Sequence, residues 1–266
     1  MAATGAPLLG SIGFDPDAAT NPLATLRATP RAEAYRSIRT NLQYVDVDHP
    51  PKVVVVTSSM PLEGKSTTAA NLAIALAQSG TAVLLVEGDL RRPRVADYLG
   101  VDGSVGLTDV LIGRLGFDDA VIAGQRGTLD FLPSGAIPPN PSELLGSQQL
   151  VDLLARLGER YGAIVIDAPP LLPVTDAAVL ATIADGAILV ARCGWTRREQ
   201  AEQAADALRQ VNARLVGAVL NFVPAGRRAR TYDYGYGYGV PEAAKQADQG
   251  RRVLAHDDVP APSPRN

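Results

Sequence analysis

Cysteine is almost missing from this chain: Cys193 stands alone among 266 residues. That excludes an intramolecular disulfide framework and fits a reducing compartment. The lone thiol reads as a small hydrophobe at a strand end. No apolar run is long enough to cross a bilayer, and no secretory pattern is visible. The chain as given is therefore expected to be soluble, whether as an independent protein or as a piece or partner of a membrane protein. Charge of one sign is also scarce. A net −3 argues against nucleic acid as the main partner. No internal repeat of solenoid length occurs. What is plentiful is hydrophobic content, 46%, enough for the core of one α/β domain with appendages.

The chain is organised around residues 53–68, VVVVTSSMPLEGKSTT. The run Val53-Val54-Val55-Val56 is too short and too β-branched for a helix and reads as a strand buried on both faces of a parallel sheet. A polar loop with Pro61 and Gly64 follows, and then a run of good helix formers over 69–78. Strand, Gly-Lys-Ser loop and helix together predict a phosphate-binding loop rather than an ordinary turn with a surface lysine. Consecutive backbone N–H groups and a helix N-terminus offer partial positive charge to a polyphosphate. Lys65 reaches the outer phosphates, and the Ser66 hydroxyl is placed to ligate Mg²⁺. Ser59 stands where the usual pattern has its first glycine.

Residues 1–30 carry turn signals such as Asp15-Pro16 and Asn21-Pro22 and are expected to form an irregular linker. Over 31–45, Tyr35, Ile38, Leu42 and Val45 recur at helical spacing, with Glu33, Arg36 and Arg39 on an adjoining face. Strands are predicted over 81–86, 128–133, 163–166, 187–191 and 215–220. Helices are predicted over 107–112, 142–157, 175–184 and 197–212, the third capped by Thr175 or Asp176. Alternating strands and helices mean an α/β fold, a parallel sheet with right-handed crossovers and helices on both faces. The domain is expected to span 31–223. From Phe222 onward periodicity stops, and 224–266 is expected to be a flexible tail apart from its tyrosines.

Acidic residues fall at strand ends, the edge where ligands bind in such sheets. Asp167 follows Ala163-Ile164-Val165-Ile166 and is placed to hold Mg²⁺ of a bound nucleotide, directly or through water, or else to cap a turn. Glu87 and Asp89 lie two apart on an extended segment, so both carboxylates can face the phosphates, one on the metal and one as proton acceptor. Arg91 follows at the same spacing and could neutralise transferring phosphoryl oxygens. A solvated charged loop is the plain alternative. Half of the eight tyrosines lie within Tyr232-Asp233-Tyr234-Gly235-Tyr236-Gly237-Tyr238. Glycine at every second position weakens a strand there. Exposed phenols tethered to a nucleotide site suit a self-modifying kinase.

These residues together resemble the bacterial tyrosine kinases of capsule and exopolysaccharide export, from about Gly10 to Gly239. Glu33-x-x-Arg36-x-x-Arg39 is similar to the family's oligomerisation motif. Residues 58–67 resemble its Walker A loop, with Ser59, Glu63, Gly64, Lys65, Ser66 and Thr67 at the nucleotide. Residues 84–93 resemble its Walker A′, and 164–170 its Walker B. The stretch Pro138-Pro139-Asn140-Pro141-Ser142-Glu143-Leu144-Leu145 resembles a further signature. One departure is Glu87, where the family usually has Asp. The resemblance implies a P-loop fold of the partitioning-ATPase type, ATP and Mg²⁺ as cofactors, and Lys65, Glu87, Asp89 and Arg91 as catalytic residues. It places the metal on Ser66, Asp89 and Asp167, and gives Asn221 a part in reading adenine.

The same resemblance implies autophosphorylation of Tyr232, Tyr234, Tyr236 and Tyr238 in trans within a ring-like homo-oligomer. It further implies a transmembrane chain-length regulator, fused or separate, an opposing phosphotyrosine phosphatase, and a place at the cytoplasmic face of the membrane. Residues 8–26 resemble the linker of fused forms. Two other functions share the fold. A partitioning-type ATPase would carry its signature lysine where this chain has Met60, and lacks a tyrosine tail. An inactive ATP-binding scaffold is the third reading.

Overall fold

Seven parallel strands form one sheet in the order β1-β7-β6-β2-β5-β3-β4. A computed structural model describes residues 3–23, 29–124 and 128–224. The strands are β1 (Leu8–Gly13), β2 (Val53–Ser58), β3 (Val83–Glu87), β4 (Leu129–Leu132), β5 (Ala163–Asp167), β6 (Gly186–Arg192) and β7 (Leu215–Val223). The longer helices are α1 (Pro30–Gln43), α2 (Lys65–Ala77), α7 (Gln148–Arg160) and α9 (Arg198–Gln210). Shorter ones are α3 (Val95–Leu99), α4 (Leu107–Leu111), α5 (Phe117–Ala120), α6 (Pro141–Leu145) and α8 (Asp176–Thr182). The expected tail and its tyrosine cluster lie outside the described residues.

The valine run explains the layering. Successive side chains of a strand point to opposite faces. Val54 and Val56 therefore pack with α1 and α2 on one side, in a cluster with Tyr35, Ile38, Leu72 and Val190. Val55 packs on the other, with Leu153, Leu157, Leu180 and Leu208 from α7, α8 and α9. Both faces are covered, so the central strands read as continuous apolar runs.

Residues 1–30 are not an irregular linker throughout. Leu8–Gly13 is an edge strand, parallel to β7, with Leu9 and Ile12 buried. Gly10 looks like a turn signal but serves close packing, as Gly217 of β7 does. A β-carbon on Gly10 would lie 2.6 Å from Ile38 Cγ1, and one on Gly217 would lie 2.5 Å from Leu9 Cγ. Asn41 of α1 donates to the Leu9 carbonyl at 2.7 Å, which fastens the strand to the helix.

The helix expected over 142–157 is two helices. Gly146 ends α6 and Ser147 begins α7 from an extended conformation, its hydroxyl donating to the Leu144 carbonyl. Strand β7 runs past Leu220 through Asn221 and Phe222 to Val223.

Candidate active site

Parallel register brings the carboxyl ends of β2, β5 and β3 side by side. Asp167 pairs with Val56 on one side and with Glu87 on the other. The loop over 59–64 rises from β2, and α2 begins at Lys65. Three ties fix the base of this loop. Thr57 Oγ1 donates to the Pro169 carbonyl at 2.7 Å, and the N–H groups of Leu171 and Leu172 donate to the Ser58 and Ser59 carbonyls. Gly64 has φ +91°, and a β-carbon there would lie 2.1 Å from Asn221 Nδ2. Only glycine satisfies both demands.

Lys65 is the hub. Its ammonium lies 2.7 Å from Asp89 Oδ2, 3.4 Å from Asp167 Oδ1 and 3.0 Å from Ser66 Oγ. Burial alone would lower its pKa, but the two carboxylates outweigh burial and hold it above the usual lysine value. Asp167 is completely buried. Burial pushes its pKa up to about 6, with Lys65 and a Ser66 hydrogen bond opposing and the charges of Asp89 and Glu87 adding to the rise. The other oxygen, Asp167 Oδ2, is buried and has no hydrogen-bond partner among the described residues. An unpartnered carboxylate oxygen beside a hydroxyl and a second carboxylate is a donor set that suits Mg²⁺. No group of three or more His, Cys, Asp or Glu side chains is arranged for a metal among the described residues. A Mg²⁺ held by one or two carboxylates together with substrate phosphates needs none.

Above this hub opens a cleft of about 670 Å³. Gly64, Lys65, Ser66, Thr67, Asp89 and Arg91 line it. The polar floor and the helix N-terminus fit a polyphosphate. Arg192, Phe222, Tyr98 and Arg94 also line the cleft and were not singled out in the sequence. The signal for Arg192 and Phe222 was their place at the carboxyl ends of adjacent strands. Arg192 stacks on both Phe222 and Trp195, at 4.3 and 5.1 Å from the ring centroids, and donates to the Leu62 carbonyl at 3.3 Å.

Five residues have surroundings that their sequence positions do not predict. Glu87 does not line the cleft beside Asp89. It is completely buried, and its Oε1 accepts the N–H groups of Arg94 (2.6 Å) and Val95 (2.5 Å) while Oε2 accepts Ser134 N–H (3.3 Å). Burial raises its pKa against these bonds. The extra methylene relative to Asp lets this carboxylate reach the start of α3. Asn221 is likewise committed. Its Nδ2 donates to the Glu63 carbonyl at 3.1 Å and its Oδ1 accepts Phe222 N–H, so it braces the phosphate loop.

Glu63 also works from inside the loop. It accepts Met60 N–H and the Thr196 hydroxyl, and burial raises its pKa. Ser59 begins the loop and is buried, with its hydroxyl unpartnered among the described residues. Asp176, expected as a cap, is buried and paired with Arg91.

The Glu87 geometry carries a prediction. Glu87→Asp should leave nucleotide affinity unchanged yet destabilise the protein by about 1–3 kcal/mol, because buried N–H groups lose their acceptor. Thermal unfolding and nucleotide titration measure the two quantities. Lost affinity with unchanged stability would return Glu87 to the phosphates.

Residues 51–219 match the family model described as an AAA domain. The tyrosine-protein kinase YwqD of Bacillus subtilis (strain 168) is 43% identical over 204 residues, covering 77% of this chain and 86% of that protein. The chain belongs to the bacterial tyrosine-protein kinases. The kinase domain of the Escherichia coli tyrosine kinase ETK superposes on this kinase with a TM-score of 0.77 at 28% identity, covering 89% of this chain and 96% of that one. The cell division ATPase MinD of Pyrococcus furiosus shares the fold at a TM-score of 0.55 and 27% identity, covering 75% of this chain and 79% of that one. The putative tyrosine-protein kinase AmsA of Erwinia amylovora is 36% identical over 203 residues. That match takes in 76% of this chain but 28% of AmsA. The kinase thus carries a nucleotide-binding P-loop domain on a parallel sheet.

Proposed function

We propose that this kinase transfers the terminal phosphoryl group of ATP to its own C-terminal tyrosines, Tyr232, Tyr234, Tyr236 and Tyr238, on a neighbouring copy. The observation that carries this reading is the buried Lys65 ammonium, in contact with Asp89, Asp167 and Ser66 at the floor of an open cleft. ATP supplies the phosphoryl group. Ser66, Asp89 and Asp167 would hold Mg²⁺, which when bound would neutralise charge on the phosphates. Lys65 exchanges its carboxylate partners for the outer phosphates. Arg91, at the mouth of the cleft, meets the oxygens of the transferring group. The phenolic oxygen of tyrosine bonds to phosphorus as the bond to ADP breaks. The phenolic proton passes to Asp89 Oδ2, which Lys65 leaves free as it turns to the phosphates; Asp89 Oδ1 accepts the Arg91 and Arg92 N–H groups, and both Glu87 oxygens are taken by backbone N–H groups.

A partitioning-type ATPase has less support. Met60 stands at the signature-lysine position of that family, and the tyrosine cluster has no use in it. Anti-phosphotyrosine detection on protein made in cells, beside a Lys65→Met control, tests the kinase reading. Signal in the parent and none in the variant is expected. No signal in the parent overturns it.

The kinase acts at the cytoplasmic face of the membrane, beside a transmembrane chain-length regulator of polysaccharide export, and an opposing phosphatase resets it. The relatives' lengths support a partner segment. The matched region makes up most of YwqD but about a quarter of AmsA, so the same domain occurs alone and within a longer chain.

Assembly into a ring is proposed through α1. Its apolar stripe, Tyr35, Ile38 and Leu42, is buried against the sheet. Glu33 and Arg36 remain outside, paired with each other, while Arg39 donates to the Ala75 carbonyl of α2 at 3.0 Å. The outward pair is worth only tenths of a kcal/mol within one helix, so an interface is the better use for it. Glu33→Ala/Arg36→Ala/Arg39→Ala should be monomeric by light scattering, and Glu33→Ala/Arg36→Ala should match it. Assembly of both variants as well as the parent would contradict the interface. Each phosphate adds about −1.5 to −2 charges. Phosphorylation should therefore shift ring toward monomer, and a variant with all four tail tyrosines changed to Phe should stay assembled with ATP and Mg²⁺.

A further inference from the structure

The stretch 138–145 leads into α6. Its Ser142 lies in the first turn of α6, donates its hydroxyl to Asp176 Oδ1 at 2.5 Å and accepts from Arg91 Nη2 at 3.1 Å. Asp176 begins α8, is completely buried, and takes Arg91 as a fork. Arg91 Nε donates to Oδ2 at 2.8 Å and Nη2 to Oδ1 at 3.0 Å. Two segments far apart in sequence thus converge on the Arg91 guanidinium. Burial would raise the Asp176 pKa, but Arg91 and Ser142 outweigh it and hold this carboxyl below the usual range.

A two-point pair fixes the plane of a guanidinium as well as its position. The bonds use Nε and Nη2 and leave Nη1 outside the clamp. The Arg91 side chain is 39% exposed and lines the cleft with Lys65 and Asp89. An arginine loose on a surface loses rotamer freedom each time it takes up a ligand, whereas one fixed beforehand does not.

We propose that Asp176 and Ser142 are positioning residues of this kinase: they hold Arg91 so that its Nη1 meets the terminal phosphate of ATP. The segment 138–145 presents Ser142 to that clamp. The inference rests on the reading of Arg91 given under Proposed function.

The test is a titration of ADP and of a non-hydrolysable ATP analogue, with Mg²⁺, into the full chain. The variants are Arg91→Ala, Asp176→Asn, Ser142→Ala and the double Arg91→Ala/Asp176→Asn. Arg91→Ala should weaken the analogue about tenfold while ADP stays within about twofold, because one charge-assisted bond to the terminal phosphate is lost. Asp176→Asn should give the same selective loss, and Ser142→Ala a smaller one, about threefold. The double variant should be no weaker than Arg91→Ala alone, since both act through one group. A double loss equal to the product of the single losses, or an equal loss for ADP, overturns the proposal. Should Asp176→Asn fail to fold, Ser142→Ala and Arg91→Ala/Ser142→Ala make the same comparison. Tyrosine phosphorylation by the parent is read separately. Its absence refutes the kinase reading and leaves the binding comparison intact.

Discussion

Lys65→Met is expected to abolish tyrosine phosphorylation and, in the same protein, to lower the stability of the nucleotide-free fold. Removing a group that stabilises developing charge costs about 10²–10³ in rate, and Lys65 also supports binding of the outer phosphates. Without nucleotide, Lys65 is the cation that neutralises Asp89 and Asp167, whose side chains are 4% and 0% exposed. Breaking a buried pair from one side costs about 3–5 kcal/mol. The lower end applies, because Asp167 can take up a proton. The double variant Lys65→Met/Asp89→Asn removes one of the stranded charges. It should regain part of the stability and none of the activity. Thermal unfolding and phosphotyrosine detection on the three proteins check this. A Lys65→Met variant with full autophosphorylation would remove Lys65 from the phosphate site. A variant with unchanged stability would mean that the carboxylates do not depend on it.

Asp167→Asn should have the next largest effect. The substitution keeps the shape and removes the charge behind the unpartnered Oδ2. Nucleotide affinity in the presence of Mg²⁺ should fall about 100-fold, the upper end of what loss of an outer-shell partner costs, since a direct metal ligand is lost here. Affinity in excess chelator should change little. Trp195 is the single tryptophan and stacks on Arg192, which also contacts the Leu62 carbonyl, so its fluorescence gives a readout close to the loop. Equal losses with and without Mg²⁺ would make Asp167 a structural residue.

The pH dependence supplies a second arm. Asp167 in the folded protein titrates near 6, above its ordinary value of 3.8. A raised carboxylate stabilises the fold fully below its unfolded pKa, and that contribution is lost as pH rises through about 6. Stability of the metal-free parent should therefore decline over that window relative to Asp167→Asn, which lacks the titration.

Most of the sheet was legible because a strand buried on both faces announces itself as a short β-branched run, as in β2 and β5. The phosphate loop was legible from the order of strand, Gly-Lys-Ser and helix. Strand β1 was not, because Gly10 and Gly13 look like loop residues until Ile38 of α1 is seen packed against the first of them. Glu87 and Asp89 share an alternation phase, which predicts one common direction. The chain bends after Gly88, and the Glu87 carboxylate is captured by the Arg94 and Val95 N–H groups. Asp176 has the position of a helix cap in sequence, and nothing local reveals that Arg91, 85 residues away, is its partner. Local patterns thus located the site, while long-range polar contacts decided which of its residues face the cleft.

The tail is the point at which the proposed function meets a direct measurement. Isotopically heavy Lys65→Met protein, which retains all its tyrosines, is mixed with light parent, ATP and Mg²⁺, and phosphopeptides are mapped by mass spectrometry. Phosphate on two or more of Tyr232, Tyr234, Tyr236 and Tyr238 of the heavy chains is the result that the proposed transfer between copies requires. Tyr161 should carry none, being buried with its hydroxyl donating to Asp130 Oδ2 at 2.7 Å. Heavy chains free of phosphate, or label mainly on Tyr98 or Tyr161 within the fold, would contradict autophosphorylation of the tail in trans.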